Sequence, residues 1–311
     1  MAAAKALRAA EKQKICRRVV TILRKRYPGA VPGNQRPVVE TLLHAVCLEN
    51  TSLENAEAAL QALLERFHDL NEIRVSSISE LETALRTLSD PEWRALRIRS
   101  VLGHIFELHY RFEFESILRK TLDAATKQLK LIPNLSPFVT AYTLQSAFGA
   151  HVVPVDDLMR DAVVWLGIAS PGVSASDAGD ALKPGLRKSD APQFCFLLRQ
   201  LAVDSELRPA IARACKNASE EDFDPATAHM RLTELFASPK KLASPKKRTA
   251  RTGGSRTSRT SKPAARKTAK TAKAPARKKA TKKAAKKTTL KKRGRATKKK
   301  ATSRSRPKSR S

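Results

Sequence analysis

Residues 129–168 read LKLIPNLSPFVTAYTLQSAFGAHVVPVDDLMRDAVVWLGI, and the order of turn and helix signals inside them decides the fold. A helical run ends near Leu131. Ile132-Pro133-Asn134-Leu135-Ser136-Pro137 then packs two prolines and an asparagine into six positions, which predicts a tight turn. Pro137 fits the first turn of the next helix, where its missing amide has no intrahelical partner to lose. Asn134 is able to take the left-handed backbone such a turn needs, at some cost relative to glycine. The exposed amides of a turn at a helix N-terminus can hold a phosphate, which makes Asn134, Leu135 and Ser136 candidate DNA contacts. The second helix runs to Ala147-Phe148-Gly149, and Pro154-Val155-Asp156 leads into a third, for which Asp156 is a favoured N-cap.

This succession of turn, helix, Ala-Phe-Gly, short loop and Val-Asp resembles the helix-hairpin-helix DNA repair glycosylases, the endonuclease III-like family most closely. The family's hairpin reads Leu-Pro-Gly-Val-Gly where this chain has Ile132-Pro133-Asn134-Leu135-Ser136, and LLHAVCLENTS at residues 42–52 resembles the helix that opens the family's first lobe. The likeness covers roughly residues 35–205. It implies an all-α, two-lobed domain that binds double-stranded DNA, and it maps the family's catalytic aspartate onto Asp156. The departures matter as much. Both hairpin glycines are replaced. The Schiff-base lysine of bifunctional members lies 18 residues before the aspartate, a position held here by Phe138, which has no amine and forms no imine. The groove-probing glutamine maps near Val46. Cys195 and Cys215 cannot supply the four closely spaced cysteines of the iron–sulfur loop. The resemblance therefore implies neither lyase chemistry nor a cofactor. Asp156 keeps two readings. It is the carboxylate of a monofunctional glycosylase acting on a flipped base, or the cap of a helix in a domain that grips DNA without chemistry.

The flanking sequence is helical in pattern. Thr51-x-x-Glu54 and Ser77-x-x-Glu80 have capping-box spacing. Leu53, Leu60, Leu63, Leu64 and Phe67 share one face, and Ile78, Leu81, Leu85 and Leu88 recur at intervals of three and four. Pro91 opens a helix with Leu96, Ile98, Val101, Leu102, Ile105 and Phe106 as expected core, and only Val152-Val153 looks strand-like. A first helix at roughly 3–27 carries Lys5, Arg8, Lys12, Lys14, Arg17, Arg18, Arg24, Lys25 and Arg26, either a solvated face or a phosphate-contacting one. Cys16, Cys47, Cys195 and Cys215 include no C-x-x-C pair and read as buried thiols of a reducing compartment, with no metal site.

Charge divides the chain. Of its 61 Lys+Arg, 31 fall between Ser238 and Ser311, and no Asp or Glu follows Glu234. The first 237 residues are close to neutral, with 30 basic and 29 acidic side chains. This predicts a helical domain over 1–236 and a basic tail over 237–311, too poor in apolar residues to fold by itself. The tail opens with Ser238-Pro239-Lys240-Lys241 and Ser244-Pro245-Lys246-Lys247. Lys282, Lys283, Lys286, Lys287 and Lys298-Lys299-Lys300 follow. It resembles the tails of linker histones and of bacterial histone-like proteins, and its Ser-Pro-Lys-Lys units suit a narrow A·T-rich minor groove.

Such a charge density selects a polyanion: double-stranded DNA foremost, RNA as the alternative. A membrane surface fits poorly, because the tail lacks an aromatic and leucine face and no apolar run approaches the ~20 residues of a spanning helix. The N-terminal Met1-Ala2-Ala3-Ala4-Lys5 lacks a signal core, so the expectation is an intracellular protein of the nucleoid or of chromatin. The sequence sets no oligomeric state.

Overall fold

The computed structural model describes residues 8–237 except 30, 32, 34, 35, 217, 220 and 221. The candidate tail contacts from Ser238 to Lys300, and Lys5 of the first basic stretch, lie outside the described residues. Those residues form helices and no strand. The expected all-α class is what the backbone adopts, and two apolar cores divide it into two lobes.

The first helix, α1 (Ala9–Arg26), belongs to the second lobe. The first lobe is α2 (Val38–Leu48), α3 (Leu53–Arg66), α4 (Leu70–Val75), α5 (Ile78–Leu85), α6 (Pro91–His109), α7 (Leu122–Lys130) and α8 (Pro137–Phe148). The second lobe continues with α9 (Asp157–Trp165), α10 (Ala175–Leu182), α11 (Ala191–Val203), α12 (Arg208–Lys216) and α13 (Ala228–Ala237). Helix α2 is buried along almost its whole length and packs on α3, α6 and α8, which makes it the axis of its lobe. Cys16, Val19 and Leu23 form the buried stripe by which α1 packs on α11 and α13.

The local signals act largely as expected. Ser77 and Glu80 form a reciprocal capping box, the Ser77 amide donating to Glu80 Oε2 at 2.8 Å. Pro91 starts α6, Pro137 starts α8, and α7 ends at Lys130. Two expectations need correcting. Ser52, not Thr51, caps α3, its hydroxyl accepting from the Asn55 amide at 3.2 Å. The helix therefore begins one residue later, so Glu54 does not stand at the third position that a box requires. Leu96 and Phe106 of α6 are only half-buried, and the Arg74 guanidinium lies 4.2 Å over the Phe106 ring. Val152-Val153 is extended but unpaired.

All four thiols are free, Cys215 half-buried and the others buried. Burial pushes Cys16 and Cys47 up to about 12 and Cys195 to about 11, so none is a ready thiolate.

Candidate functional site

The turn between α7 and α8 has the shape its residues imply. Asn134 takes a left-handed backbone with φ +60°, and its Nδ2 donates to Ser100 Oγ of α6 at 3.1 Å. Ser136 caps α8, its hydroxyl accepting from the Val139 amide at 3.2 Å. The amides of Asn134, Leu135 and Ser136 donate to no backbone carbonyl among the described residues, which leaves them available to an anion. Asn134 is exposed, Leu135 is half-buried and Ser136 is buried. The acidic neighbour of the turn is Glu49. Burial raises its pKa, while Arg97, its ion-pair partner, and a hydrogen bond from Ser136 hold it down.

Asp156 stands where α9 meets the end of α2. It is 2% exposed. One carboxylate oxygen, Oδ1, accepts from the Met159 amide at 2.9 Å and so caps α9. The other, Oδ2, accepts from the Asn50 amide at 2.9 Å and lies 2.8 Å from Arg199 Nη1. The side chain of Asp156 has no exposed surface in this setting.

Why Arg199 is there follows from the end of α2. The last four carbonyls of a helix lack intrahelical donors, and this helix ends in the protein interior. Ala45 accepts from the Glu49 amide. Arg94 of α6, 4% exposed, donates to the carbonyls of Val46, Cys47 and Glu49. Arg199 of α11 donates to those of Leu48 and Thr51 at 2.9 and 3.0 Å. Two buried guanidinium groups thus satisfy the helix end and complement its negative dipole, and Asp156 is the counter-ion of one of them. Val46 itself is fully buried in α2 and cannot probe a groove.

Phe138 completes the closure. It is buried at 3% exposure, with the Arg199 guanidinium 5.0 Å from its ring centre. Phe138 and Tyr142 share a face of α8, their rings 6.0 Å apart. Beyond them a cavity of about 230 Å³ opens between α2, α3, α8 and α11, lined among others by His44, Glu57, Tyr142, Gln145 and Arg199. Asp156 is not on its wall.

The approach of Asp156 is set by α10. The extended Val152–Val155 segment lies against Gly179, where a Cβ would meet the Val153 carbonyl oxygen at 2.5 Å. On α1, Lys12 donates to the Ala181 carbonyl at 2.9 Å and Arg26 pairs with Glu206 at 3.2 Å, whereas Lys14, Arg17, Arg18, Arg24 and Lys25 are exposed.

No protein-family model and no curated protein sequence matches the chain. Among solved structures, a non-covalent endonuclease III–DNA complex is similar at 18% identity over 61% of this chain and 85% of that one, with a TM-score of 0.49. An 8-oxoguanine glycosylase/lyase of Clostridium acetobutylicum, solved with duplex DNA containing cytosine opposite 8-oxoguanine, shares 14% identity over 62% and 69%, with a TM-score of 0.47. The 3-methyladenine DNA glycosylase of H. pylori, bound to 1,N6-ethenoadenine, shares 20% identity over 75% and 99%, with a TM-score of 0.40. These DNA glycosylase structures are what the chain is similar to in its helical fold.

Proposed function

We propose that the chain is a DNA-binding protein of the nucleoid or of chromatin, in which an endonuclease III-like, two-lobed domain is tethered to double-stranded DNA by its basic tail and carries out no lyase chemistry. The observation that carries the reading is the state of Asp156. A carboxylate that stabilises a sugar cation has to face the sugar. This one is spent on the α9 cap, the Asn50 amide and Arg199, with no exposed surface. Phe138 at the lysine position supports the same conclusion. The outward amides of the Asn134 turn supply a phosphate contact in the domain, and the 31 cations after Ala237 supply most of the affinity.

The test is salt dependence. If the tail neutralises about 8–10 phosphates at once, the log–log slope of duplex affinity against salt is roughly −7 to −9. A chain ending at Ala237 loses most of both the affinity and the slope. Equal affinity with and without the tail contradicts tethering. Stronger retention on single-stranded or structured RNA than on duplex DNA shifts the assignment to RNA.

A further inference from the structure

The interlobe cavity has a chemistry of its own, separate from the Asp156 network. At about 230 Å³ it is smaller than the ~300–1,000 Å³ of pockets for drug-sized ligands and suits a single ring system. Tyr142 and His44 supply adjoining aromatic walls, their rings 5.7 Å apart and tilted by 48°. His44 is 1% exposed. Glu57 Oε1 lies 3.1 Å from its Nε2, yet neither ring nitrogen has a partner in hydrogen-bonding geometry among the described residues. A buried polar ring left in that condition is costly unless a guest completes it.

The groups facing His44 balance one another. Glu57 of α3 is gripped by Arg36 at 2.6 and 2.7 Å, and Arg199 of α11 is paired with Asp156. Burial, the largest influence, pushes the His44 pKa down to about 4; Glu57 opposes it, and Arg36 and Arg199 add to it. The imidazole is therefore neutral near pH 7, with one donor and one acceptor. Gln145 commits its Nε2 to the Val152 carbonyl at 2.8 Å and keeps Oε1 as an acceptor on the same wall. Paired charges, a neutral donor–acceptor edge and an aromatic face favour an uncharged flat guest over a phosphate or a carboxylate.

We propose that this cavity receives one neutral, planar nitrogen heterocycle of the nucleobase type, stacked on Tyr142 and read at its edge by His44 and Gln145, and holds it without breaking a bond. Such a ring comes either from a duplex, as an extruded base, or from solution, as a free nucleobase. The first source rests on the DNA-binding reading and the second does not.

The experiment uses the full chain with 15N-labelled histidine. Free adenine and free uracil are one pair of probes. A duplex bearing 2-aminopurine opposite an abasic-site analogue is the other. At least one free base, or the duplex, shifts the His44 ring nitrogen resonances of the unaltered protein. His44→Leu weakens that binding about tenfold, as the loss of one buried hydrogen bond requires, while His44→Gln, which keeps a donor and an acceptor, stays within about threefold. A rise in 2-aminopurine fluorescence on binding, lost in His44→Leu while the duplex remains bound, identifies the extruded base as the guest. Duplex binding with no His44 shift from any probe overturns the inference and leaves the DNA-binding reading standing. A His44 shift with free bases but no duplex binding does the reverse. Binding indifferent to His44→Leu removes His44 as the reading group.

Discussion

Asp156 shows how one residue type can satisfy two readings until its partners are known. As a cap alone it would tolerate asparagine, which caps a helix about as well. Paired with Arg199 in the interior it does not, because Asp156→Asn leaves a buried guanidinium without its counter-charge. Removing one member of a buried pair costs about 3–5 kcal/mol. We expect that loss in the unfolding free energy of Asp156→Asn and again in Arg199→Met. Asp156→Asn with Arg199→Met together should cost clearly less than the two losses added, since the ion pair is then removed whole. Urea unfolding of the four proteins measures this. A silent Asp156→Asn would show that the Arg199 contact carries no energy. The aspartate was readable in the sequence because a cap and its helix are neighbours. Arg199 was not, because its partners come from α2, α9 and the Asn50 turn. The signal it left was a lone arginine inside the apolar run of α11, FCFLLRQLA. Arg94 left a similar one in α6. A buried arginine requires acceptors, and here both find them at the same helix end.

At the scale of elements, the sequence carries most helix boundaries, because prolines, serines and capping boxes act within one turn of the residues they order. It misplaces the start of α3 by one residue, where Thr51 and Ser52 compete for one cap. It gives no hint that α1 belongs with α9–α13, since the burial stripe of a helix does not say which core it enters. Nor does it reveal the close approach of the Val152–Val155 segment to α10. That approach depends on Gly179, and neither a backbone carbonyl nor the helix can yield readily. Gly179→Ala places a Cβ 2.5 Å from the Val153 oxygen. Despite the better helix propensity of alanine we expect a net destabilisation of about 1–3 kcal/mol. The segment leading to Asp156 should then show faster amide exchange. Unchanged stability would mean that the segment is less closely set against α10 than the structure has it.

Across the whole molecule the account joins a nearly neutral helical domain to a basic tail, and the tail has its own local chemistry. Ser238 and Ser244 each precede proline and two lysines. A phosphate there adds about −1.5 to −2 charges per site and competes for those lysines. Replacing both serines by glutamate should weaken binding to A·T-rich duplexes more than to G·C-rich ones, because narrow A·T minor grooves attract inserted cations most strongly. Equal losses on both would argue against groove docking of the motif and for a tail that acts only as diffuse charge. The domain's contribution separates from the tail's in the same way: phosphate contacts set affinity, and only a pocket discriminates among bases.

The claim on which the rest depends is that this glycosylase-like domain binds DNA without excising a base. It is tested most directly by single-turnover base release, with the full chain in excess over duplexes each carrying one damaged or mismatched base and with alkali to reveal any abasic site. The account predicts that every duplex stays bound and that strand breaks after alkali do not exceed those in protein-free controls. Base release above that level from any duplex would contradict it, and would mean that the Asp156 carboxylate leaves Arg199 to face a sugar or that another group in the interlobe cavity does its work.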